Sequence, residues 1–368
     1  MAVFVITVLT VWTSVHAYVL WRMWRLPAVN TPLAHRVLVV AAVVLWMSYP
    51  LARFLYRWRL STVARPLEWA GTTWMGVLFL LFAALLVVDV MTVGGSLLHA
   101  IVPALRGWAV VGALVLSVVA LVQGLRDPVV RDYEVRLAGL PAERDGTSLV
   151  EISDIHLGTL IGERWMARVV DRVTAMKPDL VVVDGDLVDG NVGEVEPLLP
   201  VLKGLRAPLG VWAVTGNHEW YAGIDRSVRL LEDAGFGVLR DRWAEAAPGL
   251  VLAGVDDLTG RRQFGQTDHS VEKALAGRPS GATVLLSHSP LRADEAAAAG
   301  AGLMLSGHTH DGQIWPFGYL VRLAYPLLGG RYEVGGMSVI VCRGTGTWGP
   351  RMRLWLPSEI VRITLHTR

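Results

Sequence analysis

Leu180-Val181-Val182-Val183-Asp184-Gly185-Asp186-Leu187-Val188-Asp189 is an apolar run that stops abruptly on a burst of carboxylates. Consecutive β-branched and leucine residues of this length read as a strand buried on both faces, as in a parallel sheet. The acids then stand at the carboxyl end of that strand, where Gly185 lets the backbone approach closely. Outward from this point the pattern alternates. Residues 163–176 have helical spacing, with Trp165, Val169, Val170 and Val173 on one side, and further helices are expected over 195–205, 225–234 and 271–276. Strands are expected over 133–140, 148–153, 210–214, 251–255, 283–287 and 302–306. Strands interleaved with helices define an α/β domain.

Every polar cluster of this region follows one of those strands, which is where α/β folds place their sites. The clusters are Asp154-Ile155-His156, the acids after Val183, Gly216-Asn217-His218-Glu219, Ser287-His288-Ser289 and Gly307-His308-Thr309-His310. Five of the ten histidines fall in them. A single strand-end Asp or His is usually a cap or a satisfied core group; five in succession are hard to explain that way. Carboxylate oxygens mixed with imidazoles suit Mn, Fe or Zn, and the lone cysteine, Cys342, excludes a thiolate cluster or an internal disulfide framework. A pair of divalent metal ions is the expected cofactor.

Taken in order, these motifs resemble the signature of the calcineurin-like metallophosphoesterase superfamily: Asp-x-His, Gly-Asp-x-x-Asp, Gly-Asn-His-Glu, a later His, and Gly-His-x-His. The resemblance covers roughly residues 145–368, and the closing 344–360 segment, ending Leu356-Pro357-Ser358-Glu359-Ile360, looks like the membrane-associated branch. It implies a four-layer α/β/β/α sandwich. It further implies that Asp154, His156, Asp186 and His310 hold one metal and that Asp186, Asn217, His288 and His308 hold the other, with Asp186 bridging. His218, oriented by Asp189, is then the catalytic histidine. Asp311 departs from the branch, which often has glycine there, and is expected to add charge at the site rim. Two cations about 3.5–4 Å apart acidify a shared water and clamp phosphoryl oxygens for in-line attack. Against two divalent ions, two Asp ligands leave a positive centre that attracts phosphate.

Before residue 126 the composition is different, and it accounts for the chain's 53% hydrophobic and 18% charged content. Four stretches, 2–21, 37–52, 72–98 and 108–125, lack Lys and Arg and read as an all-α bundle of four transmembrane helices, the second short and carrying Pro50. The first has neither the basic start nor the cleavage site of a signal peptide, so a retained span is favoured over a cleaved leader. Tryptophans 21, 24, 46, 58, 69, 74 and 108 lie mostly near predicted span ends. Asp89, inside the third stretch, should face the bundle interior or an interface, and a structural role is favoured for it. The expected organisation is a transmembrane region over 1–126, a linker with the first strand over 127–146, and the metallophosphoesterase domain over 147–368. Arg53, Arg57, Arg59, Arg65, Arg126, Arg131 and Arg136 on the domain's side outnumber Arg22, Arg25, Arg36 and Arg106 on the other, which favours a cytoplasmic domain on a cell membrane.

A net charge of +2, without a basic run interleaved with aromatics, argues against nucleic acid as a partner. The expected partners are the lipid bilayer and a phosphate-containing substrate; no feature sets the oligomeric state. Three readings stand: hydrolysis of a phosphoester or pyrophosphate in a lipid or lipid-linked substrate, action on soluble nucleotides or phosphoproteins, and a non-catalytic membrane regulator. The apolar segment 314–328 reads equally as a lip for an acyl chain or as a buried hairpin beneath the site. Arg343, Arg351 and Arg353 read as a second-phosphate clamp or, more simply, as solvated surface.

Overall fold

The computed structural model describes residues 2–58, 60–266 and 270–368, the side chains of residues 2–5 excepted. Two compact units emerge, one from the chain up to Leu125 together with Gly349–Trp355, the other from Arg126–Trp348 and Leu356–Arg368.

The first unit contains four long helices: α1 (Ala2–Trp24), α2 (Pro32–Arg57), α3 (Ser61–Met91) and α4 (Val102–Leu125). The last three are long and apolar enough to cross a membrane. The expectation of four spans is met by four helices, of which three qualify among the described residues; the apolar start of α1, residues 2–5, has side chains outside them. Helix α2 runs through Pro50 rather than stopping there. Helix α3 starts eleven residues before the expected 72–98 stretch and ends at Met91, after which Val93 and then Gly94 take left-handed conformations.

The polar residues of α1 are used inside the bundle. Trp74 Nε1 donates to His16 Nε2 at 2.8 Å, and Trp46 Nε1 donates to Thr13 at 3.1 Å, so these two indoles serve helix packing rather than span ends. Asp89 is the hub: Tyr18 donates its hydroxyl to Oδ2 at 2.5 Å, Arg22 lies 2.5 Å from the same oxygen, and Arg106 donates to Oδ1 at 2.8 and 3.0 Å. A buried carboxylate survives among apolar helices only when paired in this way. Segment Gly349–Trp355 joins this unit, its Arg353 N–H donating to Ala120 O at 2.8 Å.

The second unit is a mixed α/β sandwich. Its strands are β1 (Val129–Leu137), β2 (Thr147–Ile152), β3 (Leu180–Asp184), β4 (Val211–Val214), β5 (Gly237–Val238), β6 (Arg242–Ala247), β7 (Leu250–Gly254), β8 (Ala282–Leu286), β9 (Leu303–Ser306), β10 (Gly330–Val334), β11 (Met337–Val341) and β12 (Glu359–Thr367). They form two six-stranded sheets, ordered β1-β12-β2-β3-β4-β5 and β10-β11-β9-β8-β7-β6. Pairing along β2-β3-β4-β5 and along β7-β8-β9-β11 is parallel.

Alternation along the strands sorts side chains into three apolar layers. Leu149, Leu180 and Val182 meet Leu252, Val284, Leu286 and Leu305 between the sheets. On the other face of the first sheet, Val150, Ile152, Val181 and Val183 pack under α5 (Glu163–Ala175) through Trp165, Met166, Val169 and Val173. Val255, Leu285, Met304 and Val339 likewise meet Val271, Ala274, Leu275 and Ala296. Each fully buried Val, Leu or Ile contributes about 1.5–3 kcal/mol, so these layers fix where the strands end and hence where their loops stand.

Two expectations need correcting. The helix expected over 195–205 is broken into Val192–Val195, a 3₁₀ turn and Leu199–Leu202, because Pro197 and Pro200 cannot donate within it. The chain's closing strand β12, not anticipated, inserts between β1 and β2, parallel to the former and antiparallel to the latter.

Candidate metal centre

The carboxyl ends of five strands converge on one place. Asp154 and His156 follow β2, Asp186 and Asp189 follow β3, and Asn217 and His218 open the helix Asn217–Ala222 after β4; His288 follows β8, and His308 and His310 follow β9. Three groups result, each with its donor atoms within 4.8 Å of one another: Asp154, His156 and His310; Asp186, His288 and His308; and His156, Asp189 and His218. Asp186 Oδ2 lies 3.8 Å from His156 Nε2 and 3.2 Å from His288 Nε2, so this one oxygen stands between the first two groups. The Nε2 atoms of His156 and His310 face each other at 3.1 Å, and His310 Nε2 is 3.3 Å from Asp154 Oδ1. Asn217 Oδ1 is buried with no hydrogen-bond partner among the described residues. Facing imidazole nitrogens, paired carboxylates and an unused amide oxygen fit cations, and the two Asp/His clusters fit two divalent ions of the kind shared by Mn, Fe and Zn sites.

The electrostatics favour the forms that bind cations. Burial, aided by neighbouring His218, pushes the His156 imidazole down to about 3, leaving its lone pair free. Burial opposes ionisation of Asp154 and Asp186, but His310 and His288 beside the first and His288 and His218 beside the second hold both carboxyls below the usual range. His218 behaves oppositely: burial disfavours its charge, yet Asp186 and the hydrogen bond with Asp189 prevail and raise it to about 9. That bond, Nδ1 to Asp189 Oδ1 at 3.0 Å, fixes the ring, which Tyr221 and Trp348 flank with centroids 5.3 and 6.4 Å away.

The backbone is held in an uncommon shape to present these groups. Asp154, His156, Asp186, His308 and His310 all have φ between 49° and 68°, the left-handed region that costs a non-glycine residue about 1–3 kcal/mol and clusters at functional sites. Close packing does the holding: a Cβ at Gly216 would overlap the Asp186 carboxylate, and one at Gly307 would overlap Ser153 Oγ and the Asp154 carboxylate.

Glu219, given no role by sequence reasoning, is the anchor of this arrangement. Fully buried, it accepts from Asp186 N at 2.9 Å, Val188 N at 2.9 Å and Gly216 N at 2.7 Å, locking the β3 and β4 loops together. Its place beside His218 in Gly216-Asn217-His218-Glu219 was the available signal. Tyr325 was also missed, read only as one more aromatic of 314–328, yet its hydroxyl lies 2.7 Å from His308 Nε2.

The surrounding residues change three expectations. Asp311 adds no free charge at the rim, because Arg343 Nε donates to it at 2.9 Å; Arg343 Nη1 also donates to Glu359 at 3.0 Å, so this arginine is committed to two acids. Arg351 and Arg353 lie in Gly349–Trp355, within the helical unit, and Arg353 is wholly buried, so neither the clamp nor the solvated reading describes it. Segment 314–328 is not a buried hairpin. Its ends, Ile314 and Leu328, are buried, while Tyr319, Leu320 and Leu323 are 66%, 57% and 85% exposed.

A sandwich of this kind carrying two Asp/His clusters at its strand ends is a metallophosphoesterase domain. Residues 147–312 match the model of the calcineurin-like phosphoesterase family. An uncharacterized metallophosphoesterase of Aquifex aeolicus (strain VF5) is 37% identical over 239 residues, which are 64% of this chain and 91% of that protein. A transmembrane protein with metallophosphoesterase domain from Danio rerio is 36% identical over 269 residues, 70% of this chain. The match spans 62% of that relative's length. The chain belongs to the calcineurin-like metallophosphoesterase family. Among solved structures, Haemophilus influenzae NAD nucleotidase aligns over 57% of this chain and 46% of its own, at 17% identity and a TM-score of 0.38.

Proposed function

We propose that the protein is a membrane-anchored, dinuclear-metal phosphoesterase that hydrolyses a phosphoester or pyrophosphate bond of a lipid or lipid-linked substrate. The observation that carries the chemistry is Asp186 Oδ2 standing between two Asp/His clusters. In this reading Asp154, His156, Asp186 and His310 hold one ion, and Asp186, Asn217, His288 and His308 hold the second. When bound, such a pair supplies an acidified water and a clamp for phosphoryl oxygens. The protein's own part is positional: Glu219 holds the Asp186 loop, and Asp189 aims His218, whose cationic ring delivers a proton to the departing oxygen or stabilises its charge. The anchor comprises all four helices, residues 1–126, joined through a linker and first strand over 127–146 to a four-layer α/β/β/α domain over 147–368.

The lipid reading draws on the tether, which raises the effective concentration of lipid-borne substrates, and on the exposed apolar residues of 314–328. A second reading, soluble nucleotides, draws on Tyr221, Phe264 and Trp348, exposed aromatics near His218 that offer stacking faces. Mixed-micelle assays separate them. On the lipid reading, hydrolysis accelerates when enzyme and substrate share a micelle, and Leu320→Glu with Leu323→Glu abolishes that acceleration while sparing a short-chain chromogenic diester. Indifference to the micelle defeats the lipid reading. For orientation, Arg22 and Arg106 are buried around Asp89, leaving Arg25 and Arg36 as the opposing loop cations. Arg59 lies outside the described residues, and the other arginines of its loop still outnumber them. This supports a cytoplasmic catalytic domain.

A further inference from the structure

From His308 a line of hydroxyl groups leads away from the metal centre. Tyr325 Oη lies 2.7 Å from His308 Nε2 and 3.2 Å from Thr259 Oγ1; Thr259 Oγ1 lies 2.8 Å from Ser289 Oγ, which donates to Asp257 Oδ1 at 2.5 Å. Asp257 is 1% exposed, and its other oxygen accepts from Gly260 N at 2.5 Å. Four loops of the second sheet supply these residues: those after β7, β8 and β9, and the segment before β10.

Each hydroxyl has one proton to give, so the carboxylate at the far end sets the direction of every link. Both Asp257 oxygens accept, Oδ1 from Ser289 Oγ and Oδ2 from Gly260 N, so the Ser289 proton is spent on Asp257. Ser289 then has only a lone pair for Thr259, which must donate, and Thr259 in turn leaves only a lone pair for Tyr325. Having given its proton to Thr259, Tyr325 Oη can only accept from His308. The His308 ring must therefore carry its proton on Nε2, and Nδ1 is the nitrogen left with a lone pair for an ion shared with Asp186 and His288, the residues grouped with it.

We infer that Tyr325 is a positioning residue: through the Asp257–Ser289–Thr259 relay it fixes the tautomer and ring direction of His308, and so sets the affinity of the second ion. The inference rests on His308 being a ligand, as proposed above. Ligand histidines commonly depend on the partner of their other nitrogen, and losing that partner typically weakens metal affinity by about 10–100-fold. Tyr325 is also the root of the exposed apolar segment, which continues to Leu328, whose carbonyl accepts from Thr309 Oγ1 at 2.5 Å. The surface proposed to meet lipid is thus hydrogen-bonded directly to a proposed ligand.

Full-length protein in detergent, stripped by chelator and titrated with Co²⁺ alone, provides the test, read by d–d absorption and by metal content. Tyr325→Phe keeps the ring but removes the hydroxyl. It should bind one Co²⁺ as wild type does and the second about 10–100-fold more weakly, with an altered spectrum and an unchanged melting temperature of the metal-free protein. Thr259→Val, which leaves the tyrosine in place without its acceptor, should shift the same site by less. Wild-type affinity for both ions in both variants overturns the inference, as does equal weakening of both sites or a destabilised metal-free protein. His308→Ala is the control for the underlying assignment: if it still binds both ions, the ligand set fails; if it loses one while Tyr325→Phe loses none, only the positioning role fails.

Discussion

His218→Ala should retain both cations and lower kcat by about 10²–10⁴-fold, the range typical of removing a positioned general acid or base. The ring makes its contact at Nδ1 with Asp189, 3.0 Å away, and it sits beside rather than within the two clusters joined by Asp186. Its loss therefore takes away a proton at the leaving oxygen without removing a proposed donor to either ion. Because that interaction strengthens only as charge develops, kcat and kcat/KM should fall together. Asp189→Asn should move both in the same direction by less, since the ring remains but its orientation and charge lose support. Metal content measured on the same samples is decisive. A His218→Ala protein that turns over at the wild-type rate removes the catalytic assignment, and one that loses a cation reassigns His218 to the ligand set, where its grouping with His156 and Asp189 would then belong.

Asp186→Asn should be more damaging still, because it cancels a negative charge shared by two cations. A unit charge about 4 Å from another, at an effective dielectric constant near 20, contributes about 4 kcal/mol, or roughly three decades in affinity for each ion. The amide keeps the shape of the carboxylate, and an Asn Oδ1 can still accept from His218 N, a bond of 2.8 Å in the wild type. Glu219 still holds the loop through Asp186 N. The metal-free protein should fold normally and bind at most one cation at concentrations that fill both sites in the wild type, with phosphodiester hydrolysis at background. Two tightly bound ions in purified Asp186→Asn protein contradict the bridging role outright.

Much of this site was legible because its parts are local in sequence and repeat one rule, a polar pair at the end of a buried strand. Val183 and Ile152 announce their strands, and Asp186 and Asp154 follow at once. What escaped was non-local. Strand β12 pairs with β1 and β2 from the far end of the chain, and no pattern around Glu359 tells which strands will receive it. Glu219 and Tyr325 escaped for a related reason: each acts through a partner on another loop, and Tyr325 sat among apolar neighbours that invited a purely apolar reading. Arg343 escaped because solvated surface was the simpler reading and a phosphate clamp the other, whereas Asp311 and Glu359 had already claimed it. In the membrane unit, hydropathy located the helices but misjudged their ends, since α3 begins at Ser61 and runs through Arg65 and Glu68, the latter paired with Arg53.

Each of the two clusters joined by Asp186 draws on both sheets: Asp154 and His156 from one with His310 from the other, Asp186 from one with His288 and His308 from the other. An ion in either place would accordingly be a rivet through the sandwich. Ligand binding of this kind adds about 2.7 kcal/mol to stability when free ion stands 100-fold above its dissociation constant. Free metal in the protein's surroundings should thus raise the stability of the domain as well as fill its proposed site.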